Sequence, residues 1–96
     1  MVSRHKVTAV RASSLRSLAN ACEGIYPVAV CDELRMASVT LAAVGSMPRV
    51  SAERHRQHGD DLHTRLVQAG ADDVIARAAQ RLYVGSDTTA NRNGVA

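Results

Sequence analysis

Residues 15–43 read LRSLANACEGIYPVAVCDELRMASVTLAA, and the fold turns on how this stretch is divided. Leu15, Leu18, Cys22, Ile25, Ala29, Met36, Val39 and Ala43 recur in alternating steps of three and four, with Asp32 in the missing place. A period near 3.5 lays a narrow apolar stripe along one side of a helix, suited to a partner helix. From Val7 to about Val44 there is almost no turn chemistry, so the pattern predicts a first helical arm over 7–44.

The weak point of that arm is Glu23-Gly24-Ile25-Tyr26-Pro27. Proline removes a backbone donor and clashes with the preceding turn, at a cost of about 3 kcal/mol inside a helix. Either a kink or a complete break fits, and a complete break gives three helices with Gly24 as a helix C-cap. Val28-Ala29-Val30-Cys31 has local strand character but no convincing mate.

Working outward, Gly45-Ser46-Met47-Pro48 is the strongest punctuation, with Ser46 or Ser51 placed to cap a following helix. The chain is expected to reverse at 45–48. Beyond it Leu62, Leu66, Gly70, Ala71, Val74, Ala78 and Leu82 mark a second apolar face, with Asp61–Arg65 and Asp73–Arg77 as acid-to-base pairs at i,i+4. This predicts a second arm over 49–83. Gly85 and the polar stretch Ser86–Ala96 have almost nothing to bury, so 85–96 reads as a flexible C-terminal tail behind a helical domain of residues 1–84.

Composition points the same way. Within 96 residues, 46% of them hydrophobic, the apolar content leans on Ala and Val, and the aromatics are Tyr26 and Tyr83 alone. Helix pairs pack closely on Ala, Leu and Val, whereas a wide core draws on Phe and Trp. The fold class is therefore all-α, an antiparallel two-helix hairpin. One hairpin leaves the flanks of its stripes exposed, so dimerisation into a four-helix bundle is the natural completion. The packing residues picked out are Leu15, Leu18, Ile25, Met36, Val39, Leu62, Leu66, Val74 and Leu82.

No run reaches the roughly 20 apolar residues needed to cross a bilayer, and the N-terminus lacks the apolar core of a general secretory signal. The net charge of +3 includes Arg4, Lys6, Arg11 and Arg16 at the start, with Arg49, Arg54 and Arg56 near the turn. Without stacking aromatics this is a generic basic surface, and salt-sensitive DNA binding is the minor reading. His55, His58 and His63 lie among Glu53, Asp60 and Asp61, but five residues take His63 off the face of His58, so a solvated helix face is favoured over a metal site. Cys22 and Cys31 fit no zinc spacing, and a disulfide between them requires a chain break. Neither cysteine, nor Asp72 or Asp73, is set beside a Gly-rich loop that positions a substrate, so no catalytic residue, cofactor or metal is assigned and the protein reads as non-enzymatic.

Tyr83-Val84-Gly85-Ser86-Asp87 forms a YxxxD pattern where the second arm passes into the tail. Taken by itself this is as readily a C-terminal Tyr packing on the bundle with an acid in the tail. Set beside HGDDLHTRLVQAGADDVIARAAQRLY over 58–83, SDTTANR over 86–92 and a Gly/Pro turn near the middle, it resembles the EspC-like type VII secretion targets of actinobacteria, relatives of the Trp-X-Gly secreted helical hairpins. The turn here carries Gly45-Ser46-Met47-Pro48 and no Trp-X-Gly. The resemblance implies a hairpin that pairs with itself or with a similar hairpin. It also implies export, with Tyr83 and Asp87 as the signal read by a secretion ATPase or chaperone, and a secreted or envelope-associated location. A small cytoplasmic helical adaptor or chaperone is the alternative.

Overall fold

The computed structural model describes residues 4–45 and 51–85, with the side chains of 4–7 and 45 left out of account. It is all-helical over these residues: α1 (Arg4–Cys22), α2 (Val28–Gly45), α3 (Ala52–Ala69) and α4 (Asp73–Val84). The break at 23–27 is complete, and the expected second arm is itself divided at 70–72. Four helices thus stand where the sequence predicts two arms.

The first joint follows from its residues. The Cys22 carbonyl accepts from the N–H groups of both Ile25 and Tyr26, at 3.1 and 3.0 Å, which closes α1. Gly24 there takes φ +79°, a conformation that costs an L-side chain but not glycine. Pro27 then precedes α2 and its carbonyl accepts from Val30 N–H at 2.9 Å. Val28–Cys31 is the first turn of this helix, not a strand.

The second joint uses three residues. Gly70 has φ +117°, its N–H donates to Val67 O at 3.1 Å, and Ala71 N–H donates to Leu66 O at 2.9 Å. These crossed bonds form a Schellman motif that satisfies the open carbonyls of α3. Asp72 immediately caps α4, its carboxylate accepting from Ile75 N–H at 3.0 Å. At the other end of α3, Ser51 caps in the same way, accepting from Arg54 N–H at 3.1 Å.

The helices run antiparallel in two pairs, α1 against α2 and α3 against α4, and the pairs meet along α1–α4 and α2–α3. Ser38 Oγ donates to Ala12 O at 2.6 Å across the first pair. In the second, a Cβ on Gly59 would overlap the Val84 methyl, so the glycine sets the close approach of α3 and α4. Leu15, Leu34, Leu41, Leu62 and Leu66 are fully enclosed, each contributing about 1.5–3 kcal/mol by burial. Ala12, Ala19, Ala76 and Ala79 let the helices approach closely around them. One chain therefore encloses a four-helix core that the sequence reading divided between two.

The apolar phase changes with the break. Of the predicted packing residues, Leu15, Leu62 and Leu66 are buried, and Leu18 and Leu82 pack partly against the core. Ile25, Met36, Val39 and Val74 are exposed. The core face of α2 is instead Val30, Leu34, Ala37 and Leu41. The predicted stripe assumed one continuous helix through Pro27; once the joint intervenes, α2 turns by about one residue, roughly 100°, and presents its other face to the core.

Candidate interaction surface and the end of α4

Two features of this geometry are candidates for a functional role. The first is the outward side of α2. Val28, Met36 and Val39 are 74%, 66% and 65% exposed, with Ala29 and Ala43 open beside them and Ile25 exposed just before the helix. Asp32 is the charge within this row and makes no hydrogen bond or ion pair among the described residues. Opposite lies the core face of Val30, Leu34 and Leu41, so α2 is apolar on two sides. A helix apolar on two opposite sides has two faces to bury, yet this one forms a wall of the bundle.

The flanks of the row are held. Arg35 reaches Glu23 and Asn20 on the α1 side, and Arg65 of α3 reaches Glu33 at 3.1 Å on the other. The predicted Asp61–Arg65 pair is thereby displaced, and Asp61 accepts from Gln57 at 3.3 Å. Asp73–Arg77 is formed at 2.6 Å, and His63 joins it, 2.9 Å from the second Asp73 oxygen. Arg77 first and His63 second hold the Asp73 carboxyl below its ordinary range.

The second feature is the C-terminal end of α4. Tyr83 is only 2% exposed, and its hydroxyl is buried without a partner among the described residues. Burial raises its pKa, with Arg65 opposing. His55 stacks on the Tyr83 ring at 4.9 Å, and its Nε2 lies 2.8 Å from the Tyr83 carbonyl. A carbonyl only accepts, so Nε2 carries the proton and Nδ1 is left a buried acceptor with no partner. His55 thus satisfies one of the open carbonyls at the end of α4 from a neighbouring helix. Desolvation lowers its pKa, the Tyr83 bond opposes this, and Arg11 and His58 add to the lowering. Beside Tyr83 a cavity of about 140 Å³ is walled by Ala37, Thr40, His58, Asp61 and Arg65. Asp87 lies outside the described residues, as do Ser46, Met47 and Pro48 of the predicted turn.

His55, His58 and His63 do not converge. His55 faces Tyr83 and His63 faces Asp73, and among the described residues no group of three or more His, Cys, Asp or Glu is placed to share an ion. Cys22 and Cys31 are both buried thiols, and burial first, then Cys31 and Asp72, raise the pKa of Cys22. Among the described residues no helix is long and apolar enough to cross a membrane.

The sequence reading missed His55 as a partner of Tyr83, because residues 28 apart announce no contact. It also read Gly70 as part of an apolar face and assigned no cap to Asp72, which is exposed and starts α4. Yet Gly followed within two residues by Asp is a legible stop-and-start signal. Comparison with known families, curated proteins and solved structures finds no match.

Proposed function

We propose that this protein is a non-enzymatic interaction module that docks a partner helix on the outward face of α2. The carrying observation is that face itself: Val28, Met36 and Val39 aligned and exposed on a helix whose opposite side already fills the core. Burying such a row against a second helix recovers hydrophobic free energy that the isolated chain forgoes. The test is complex formation with co-expressed helical partners by size-exclusion chromatography with light scattering. Val39→Glu, an exposed change that leaves the core alone, is expected to abolish the complex; a complex unaffected by it sinks the reading.

Export by a type VII system, as substrate or export partner, is the setting favoured by the YxxxD pattern of Tyr83 and Asp87 in the sequence and by the EspC-like resemblance. Because Tyr83 is packed inside, a receptor reading its side chain requires the last turn of α4 to unpack. Tyr83→Ala therefore disturbs core and signal together, and Asp87→Ala is the cleaner probe. Measured in the culture filtrate of an actinobacterial host at matched intracellular levels, Asp87→Ala is expected to abolish export. Retention of the wild type in the cell favours the cytoplasmic adaptor.

A further inference from the structure

Resting on the interaction reading, we infer that the occupant of the outward face of α2 is a second copy of this chain, packed antiparallel across a two-fold axis near Leu34. The outward row is its own mirror in spacing. Within α2, Val28 and Thr40, Ala29 and Val39, and Asp32 and Met36 lie the same number of residues on either side of Leu34. An antiparallel α2 laid on this face at that register sets Ala29 against Val39 and Val28 against Thr40 of the second copy. Closed two-fold pairing of a self-complementary patch is the commonest form of homo-oligomer.

Charge selects the same arrangement. Asp32 stands exposed in an apolar row, near the charge of Arg35 three residues on but without a hydrogen bond to it, a costly position for a carboxylate once a partner excludes water. A two-fold axis brings like flanks of antiparallel helices together, and Arg35 lies on the same flank of the row as Asp32, toward α1. At the register centred on Leu34, Asp32 therefore meets Arg35 of the second copy, and the pair is made twice. Arg35 gives one nitrogen, Nη2, to Glu23 and Asn20, and a guanidinium has five N–H donors, so it retains others for this contact. A parallel pairing stacks Asp32 on Asp32 and loses the complementarity. One helix face is small beside the roughly 800 Å² per partner of a standard stable complex, so the dimer is reversible and concentration-dependent.

Sedimentation equilibrium of the full chain, from micromolar to millimolar concentration, tests this. Wild type is expected to dimerise, and Val39→Glu to weaken association at least about tenfold. Asp32→Arg and Arg35→Asp are each expected to weaken it, with helicity followed by circular dichroism to verify folding. An equimolar mixture of the two variants restores a dimer. Positions 32 and 35 are then both basic in one chain and both acidic in the other, so each contact between them again joins opposite charges. A wild type that stays monomeric overturns the second copy. The interaction reading survives that result if Val39→Glu still removes a different partner. Dimerisation indifferent to Val39→Glu overturns the face, and a mixture that fails to pair overturns the register.

Discussion

The two joints that divide the arms, 23–27 and 70–72, lie against each other and stop their helices by different means. The first uses five residues, and its glycine stands in open space: nothing comes within 4 Å of a Cβ built on Gly24. The second uses three, and a Cβ on Gly70 would come 3.0 Å from Pro27 Cγ. Tyr26 completes the contact, donating to Asp72 at 2.7 Å while Asp72 caps α4. The first joint therefore serves as part of the template for the second. Positive φ alone costs a side chain conformational energy; positive φ against a neighbouring ring costs that and a clash.

The largest effect expected from this comparison is that of Gly70→Ala, which meets both penalties and should lose roughly 2–3 kcal/mol in urea denaturation. Gly24→Ala meets the conformational penalty alone and should lose about 1 kcal/mol. Equal losses at the two sites would falsify the template role of Pro27.

Asp72→Ala removes the cap on Ile75 N–H and the acceptor of Tyr26 together, and is expected to lower Tm modestly while amide exchange accelerates in the first turn of α4. Bonds from Ile75 N–H and then Tyr26 OH hold the Asp72 carboxyl below its ordinary range. The folded state thus favours the carboxylate, so this stabilisation is present above the ordinary carboxyl range and is lost as pH falls through the lowered value. Asp72→Asn keeps a capping side chain and should flatten that acid limb in a plot of stability against pH.

The smallest effect lies at the opposite end, where His55 holds the Tyr83 carbonyl. Its lowered pKa means that the folded state binds fewer protons than the unfolded chain just below the ordinary imidazole range, so stability declines as pH falls there. Melting at about pH 5.5 should be lower than at about pH 7.5, and His55→Gln should narrow the gap. A gap unchanged in that variant would place the titration at another group.

Much of the local structure was legible. Gly24 and Pro27 announced a joint, Ser51 a helix start and Asp73–Arg77 an ion pair, because each acts through backbone torsion or through neighbours three or four residues apart. Gly70 and Asp72 were equally local signals, and they were hidden only by being counted as part of a continuous stripe. The α2 face was harder. Ile25, Met36 and Val39 have the spacing of a buried seam, but Val30, Leu34 and Leu41 have it too, and periodicity cannot say which of two apolar faces turns inward.

The sequence by itself determined that the chain is helical, thinly packed and punctuated at its glycines and prolines, since these depend on side-chain size and short-range torsion. Tertiary structure alone decided that four helices close within one chain, that Met36 and Val39 face outward, and that Tyr83 is clasped by His55. The reason is that rotation about a joint and contact between residues distant along the chain are set by the packing of all four helices at once, and no local stretch of sequence carries that information.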